Sequence, residues 1–157
     1  MNKNQKGFTL IELLVVIAII GLLSTLSIIA LNSARARARD AKRISDVKQM
    51  QIALEMYYNE NNAYPASAAV VPGASIATSG SEPFLRAVPT PPEPYDGATC
   101  NTDTATYLKT KYNYVLTTSN GTIPTYAIYF CIGQTVGKGA GAITGNSVRV
   151  MTPAGVY

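Results

Sequence analysis

The sequence predicts an α+β fold in which one long N-terminal helix packs on a small antiparallel sheet. Three observations predict it. An apolar run without any charge covers residues 13–31, and a stretch with helical spacing of apolar residues follows it to about residue 60. Beyond residue 110 the chain instead alternates apolar and polar residues, as the strands of a half-buried sheet do.

The apolar run predicts a membrane-spanning helix. It has about 19 residues, enough to cross the hydrocarbon of a bilayer, whereas the apolar core of a secretory signal peptide has about 7–15. Charged Arg35 and Arg37 follow it soon after, where a signal peptide would have the small residues of a cleavage site. We therefore expect the segment to be retained. Glu12 stands at its entrance, and a carboxylate near a bilayer needs a partner or a shallow position.

The helix is predicted to continue as an amphipathic segment. One stripe of residues at three- and four-residue steps should face the sheet: Ile44, Val47, Gln51, Leu54 and Tyr58. The opposite side carries Arg35, Arg39, Lys42 and Asp46. The cluster of Asn59, Glu60, Asn61 and Asn62, with Pro65 after it, predicts the end of the helix near residue 60.

The rest of the chain predicts a loop and then strands. Residues 66–94 are rich in Ala, Ser, Pro and Gly without a sustained period, which is typical of a surface loop. Two strands are predicted from alternating patterns, one with Tyr112, Tyr114 and Leu116 and one with Tyr126, Ile128 and Phe130. Asn120-Gly121 between them is a hairpin turn signal, and Val148 with Val150 predicts one more short strand.

Two cysteines, Cys100 and Cys131, form an even pair in a small, loop-rich region. Such a pair suits a disulfide in an oxidising compartment, and two buried thiols are the alternative. A bridge between them would close a loop of about 32 residues and stabilise the fold by roughly 3–4 kcal/mol in the loop-entropy model.

Composition argues against catalysis and against nucleic-acid binding. The chain of 157 residues has no histidine, and Glu12 has no second carboxylate near it in sequence, so we expect no enzyme. The net charge of +4 includes Lys3 and Lys6 at the very N-terminus. The basic cluster of residues 35–43 lies just beyond the membrane segment, where lipid headgroups or neighbouring subunits are the expected contacts rather than DNA phosphates.

Residues 6–12 read K-G-F-T-L-I-E. This heptapeptide resembles the class III signal of type IV prepilins and type II secretion pseudopilins. The resemblance implies cleavage between Gly7 and Phe8 by a membrane-embedded prepilin peptidase, and N-methylation of Phe8. It also implies that Glu12 pairs with the new amine of a neighbouring subunit in a helical filament, built on an inner-membrane assembly platform.

The resemblance extends along the helix to its tyrosine-proline exit at Tyr64-Pro65. It implies a leader at 1–7, a membrane or filament-core half of the helix at 8–31 and an amphipathic half at 32–62. A loop at 63–94 and a C-terminal antiparallel sheet at 95–157 complete the pilin fold. Many family members have a proline late in the apolar segment, and this chain has none there.

Calcium is the one cofactor that the resemblance raises, because the major pseudopilins of type II secretion have a calcium-binding loop. Glu93, Asp96 and Asp103 are weak candidate ligands. The surrounding Pro-Glu-Pro-Tyr sequence matches the calcium-binding pattern poorly, so we expect no cofactor.

The resemblance implies a structural subunit of a type IV pilus-like filament, with a type II secretion pseudopilin or a competence-type DNA-uptake pilin as alternatives. The precursor would be a single-pass membrane protein with its C-terminal domain outside the cytoplasm, and the filament would lie at the cell surface or in the periplasm. Charge counting points the other way, since five cations follow the apolar run and only Lys3 and Lys6 precede it. The processing signal and the cysteine pair favour export.

Overall fold

The computed structural model describes residues 7–94, 110–117, 125–133 and 147–156. Helix α1 spans Leu10–Asn61. The strands β1 Asn113–Thr117, β2 Thr125–Ile132, β3 Ser147–Thr152 and β4 Gly155–Val156 form one antiparallel sheet in the order β1-β2-β3-β4. The predicted α+β class is therefore confirmed, and the predicted Asn120-Gly121 turn lies outside the described residues.

The chain divides into two compact units, Met1–Arg35 and Ala36–Tyr157. In the first, every described side chain is exposed, and α1 is long and apolar enough to cross a membrane, with a mean hydropathy of 2.8 over its most apolar window. The hydroxyls of Ser24, Thr25 and Ser27 donate to backbone carbonyls three or four residues earlier, at 2.7–2.8 Å. These polar groups are thus satisfied within the helix, as lipid surroundings require.

The second unit has a hydrophobic core between α1 and the sheet. Val47, Met50 and Leu54 on the helix are fully buried. Strand β2 alternates buried and half-buried residues along its whole length, so its predicted period of two is confirmed. The buried side chains of β2 are Tyr126, Ile128, Phe130 and Ile132. One face of the sheet is therefore packed against the helix, and the core lies between them.

The prediction of a surface loop at residues 66–94 is wrong for part of that segment. Val70, Ile76 and Val88 are buried in the core. A short 3₁₀-helix at Ser67–Ala69 and an antiparallel bridge between Ile76 and Leu85 fold the segment back on itself. The bridge satisfies backbone groups that burial would otherwise leave unpaired, which permits the apolar side chains to enter the core.

The polar side of the helix also differs from the prediction. Asp46, expected on the face away from the sheet, is buried, and Arg43 in the basic cluster is buried as well. The hydroxyl of Tyr112 donates to Asp46 Oδ2 at 3.0 Å, and Lys42 Nζ lies 2.6 Å from Asp46 Oδ1. A carboxylate is tolerated in a core when such partners replace water.

Tyrosines cluster where the end of the helix meets the sheet. Tyr64 stacks on Tyr58 and meets Tyr126 edge-on, with ring centroids 4.7 Å apart in both pairs. The hydroxyls of Tyr64 and Tyr126 donate to Glu55 at 3.1 and 2.9 Å. Burial and the Glu55 carboxylate raise the pKa of Tyr64 to about 12. Burial is also the main cause that raises the pKa values of Tyr112, Tyr114 and Tyr126.

These raised pKa values predict how the fold responds to alkali. A tyrosine whose folded pKa exceeds the unfolded value of about 10 contributes stability that is complete below pH 10 and is lost as the pH rises toward 12. We expect four of the ten tyrosines to ionise at higher pH than ordinary tyrosines, with loss of the fold over the same pH range. Tyrosinate absorbance and near-ultraviolet circular dichroism of the full-length chain in detergent measure this. Ionisation of all ten near pH 10 with the dichroism intact would contradict it.

Candidate functional site

The candidate site lies at the start of α1, where Thr9 and Glu12 form a capping box. Thr9 donates to Glu12 Oε2 twice, from its backbone N at 2.9 Å and from Oγ1 at 2.8 Å. Glu12 N in turn donates to Thr9 Oγ1 at 3.3 Å. This reciprocal pairing satisfies two of the backbone donors that a helix N-terminus leaves open. It is also why the helix begins at Leu10 rather than at residue 8 as predicted.

The capping box engages one oxygen of Glu12. Oε2 accepts both hydrogen bonds from Thr9, and no described residue donates to Oε1. The carboxylate opens on a shallow groove that the apolar side chains of Phe8, Ile11, Val15 and Val16 line. An exposed carboxylate oxygen in apolar surroundings can pair with a cation, and the strength of such a pair increases where water is excluded.

Gly7 and Phe8 lie directly before the helix. Both are exposed, and neither belongs to a secondary-structure element. Apart from Gly7 and its chain neighbours, no described residue places an atom within 4 Å of the point where a Cβ on Gly7 would lie. A peptide bond in this position is accessible without unwinding any helical turn. This placement suits the predicted cleavage between the two residues, which remains a prediction.

The other predicted site residues are only partly described. Cys131 lies half-buried in β2, whereas Cys100 lies outside the described residues, so the disulfide remains a prediction. Glu93 is described, and its two candidate calcium partners, Asp96 and Asp103, are not. Among the described residues no three His, Cys, Asp or Glu side chains come together as a metal site would require.

Thr9 is the residue that the sequence reasoning missed at this site. Its signal was present, because a threonine three residues before a glutamate at the start of an apolar helix is the spacing of a capping box. The structure adds a physical role: Thr9 fixes the side chain of Glu12 against the helix N-terminus.

Comparison with known proteins gives one family match and three informative relatives. Residues 2–28 match the family described as the prokaryotic N-terminal methylation motif. Type II secretion system core protein G of Vibrio cholerae is 30% identical over 152 residues, which cover 92% of each chain. The same-named protein of Dickeya chrysanthemi is 33% identical over 94 residues, 60% of this chain. The major component of a Thermus thermophilus type IV wide pilus is 44% identical over 72 residues, 44% of this chain.

The extent of these similarities differs. The chain spans about half the length of the Dickeya and Thermus relatives, at 55% and 53%, in contrast to the Vibrio protein. No solved structure matches the chain.

The capping box predicts the effect of one substitution. Thr9→Val keeps the shape of the side chain and removes the hydroxyl, which should cost the first turn about 1 kcal/mol and speed exchange of its amide hydrogens about fivefold. Thr9→Ser keeps the hydroxyl and is the matched control. The measurement is hydrogen exchange of the Glu12 amide in each detergent-solubilised variant, followed by NMR. Equal exchange in Thr9→Val and the wild type would contradict the cap.

Proposed function

The chain belongs to the family of type IV pilins and type II secretion major pseudopilins, and we propose that it is a structural filament subunit made as a membrane-anchored precursor. The observation that carries the proposal is Glu12, a carboxylate with one open oxygen at the head of an entirely exposed apolar helix segment. Such a segment needs lipid or other subunits around it, and such a carboxylate needs a cation from outside the chain.

Processing supplies that cation. A prepilin peptidase would cleave between Gly7 and Phe8, which removes Lys3 and Lys6 and leaves a positively charged amine on Phe8. N-methylation of this amine keeps its charge. The apolar helix segment remains as the single membrane anchor. The sheet domain then lies outside the cytoplasm, where a Cys100–Cys131 disulfide could form.

Assembly would pair opposite charges between subunits. The amine of Phe8 on one subunit would bind Glu12 Oε1 on its neighbour, while Thr9 continues to occupy Oε2. Both charges are then compensated when the helix leaves the lipid for the apolar interior of a filament. An inner-membrane assembly platform would drive the extraction of the helix from the lipid. No catalytic activity is part of this proposal.

A pseudopilin of type II secretion is the second candidate. It is favoured by the similarity to core protein G of Vibrio cholerae, which extends over 92% of both chains. The Thermus similarity covers a smaller part and favours a pilus. Either filament would use the same Glu12 chemistry. Loss of protein secretion in a strain that lacks this chain, with surface pili intact, would assign it to the secretion apparatus.

The first prediction from this function concerns the mature N-terminus. Because Gly7-Phe8 is exposed before the first helical turn, we expect the membrane and filament forms to begin at N-methyl-Phe8. Intact mass and N-terminal sequencing of protein from its native host measure it. A host strain without prepilin peptidase is the control and should retain residue 1. A mature chain that begins at Met1 in the wild-type host would contradict processing.

The second prediction concerns Glu12→Leu. The substitution makes the anchor more apolar, so insertion should not suffer. It removes the partner of the neighbour's amine, which would enter the filament interior as an unpaired cation. We expect the variant to be cleaved, to accumulate in the inner membrane, and to form at most about a tenth of the wild-type filaments. A tenfold loss corresponds to about 1.4 kcal/mol, and one unpaired buried charge costs more than that.

Glu60→Leu is the matched control, since it removes an exposed carboxylate from the other end of the same helix. It should assemble like the wild type. Immunoblots of sheared filaments beside membrane fractions give the yields. Normal filament yield from cleaved Glu12→Leu protein would refute the charge pair.

A further inference from the structure

The unit Ala36–Tyr157 contains a buried ion pair that the proposed function does not use. Asp40 and Arg43 lie one turn apart on α1, with relative exposures of 0% and 2%. Arg43 Nη1 donates to Asp40 Oδ1. Two charges withdrawn from water are costly unless further hydrogen bonds compensate them. The other hydrogen bonds of Asp40 and Arg43 therefore indicate the structural role of the pair.

Arg43 binds the segment that leads from the helix toward the sheet. Its Nη2 donates to the carbonyl oxygens of Pro92 and Pro94, at 2.7 and 2.9 Å. Residues 89–94 include four prolines, and a proline has no backbone N–H to donate. Such a segment cannot pair as a strand, so its carbonyls need a donor from elsewhere. The guanidinium of Arg43 provides that donor to two of them.

Asp40 binds the sheet. Its Oδ2 accepts a hydrogen bond from Gly133 N at 3.0 Å, immediately after β2 ends at Ile132. The pair thus joins three segments that are distant in sequence: the helix, residues 92–94 and the end of β2. The carboxylate also supplies the negative charge that holds the guanidinium in place.

The oxygens around Arg43 are of the kind that bind a hard cation. Two backbone carbonyls and one carboxylate are typical calcium ligands. In this chain they already surround a positive charge that is covalently attached to α1. A divalent ion at the same carbonyls would be repelled by the guanidinium. The carbonyls of Pro92 and Pro94 are therefore not available to a calcium site around Glu93.

We propose that Arg43 is a tethered structural cation: it holds residues 92–94 against the helix and the end of β2, and the domain keeps this segment in place without calcium. The guanidinium is always charged at physiological pH, so the attachment does not depend on metal supply. This inference concerns the folded subunit alone and holds whether or not the chain forms filaments.

Thermal unfolding of the full-length chain in detergent tests the proposal. We expect the Tm of the wild type to change by less than about 2 °C between excess calcium and excess chelator. Arg43→Ser removes the positive charge beside the buried Asp40 carboxylate and the donor of two carbonyls, and it should lower Tm by more than about 10 °C. Lys48→Ser is the matched control, because it removes an exposed cation from the same helix and should leave Tm within about 2 °C.

Arg43→Lys keeps the charge but not the planar fork of donors, so its Tm should lie between those of the wild type and Arg43→Ser. If Arg43→Ser does not fold, that result agrees with the proposal, and the lysine variant and the chelator experiment still decide it. Hydrogen exchange at Gly133 N should be faster in Arg43→Lys than in Lys48→Ser. A rise in wild-type Tm of more than about 5 °C in calcium, or equal Tm values for the wild type and Arg43→Lys, would overturn it.

Discussion

One constraint governs this structure: a single continuous helix has to meet two different environments. In the unit Met1–Arg35 no other part of the described chain covers the helix, and its side chains are apolar on every side. In the unit Ala36–Tyr157 one side of the same helix is apolar and packs on the sheet. The hydroxyl groups in the first part bond to the helix's own carbonyls, because neither lipid nor an apolar filament interior offers a partner.

In the second unit the helix brings carboxylates into the core, and large aromatic side chains supply their donors. Asp46 accepts from Tyr112, and Glu55 accepts from Tyr64 and Tyr126. Tyrosine suits this role, since its ring adds buried apolar area and its hydroxyl reaches a partner at the end of that ring. The contacts of Asp46 with Tyr112 and of Glu55 with Tyr126 also fix the position of the sheet on the helix, because each joins residues far apart in sequence. The same tyrosine side chains therefore hydrogen-bond the carboxylates and fill the core.

The sequence predicted those features that depend on local periodicity. The helix and strands β1–β3 follow from spacings of three to four and of two, and the burial along β2 agrees with its period. The burial of Asp46 and Arg43 could not be predicted in this way, since their partners lie 66 and about 50 residues later. Strand β4 has only two residues, too few to show any period. The buried residues of the 66–94 segment escaped prediction because a short 3₁₀-helix and isolated backbone hydrogen bonds, not a repeated pattern, fold it.

At the candidate site, family resemblance predicted the residues from the sequence, and the structure adds the hydrogen bonds that position Glu12. Thr9 satisfies one oxygen of Glu12 within its own subunit and leaves the other oxygen for the cation that the proposed assembly would bring. The capping box uses Oε2, and a neighbour's amine can therefore approach Oε1 while the helix keeps its cap. The proposed assembly would then require no melting of the first turn. In the proposed assembly the two partners of Glu12 would act in succession on different oxygens, so that one residue would serve both the membrane-bound subunit and the filament.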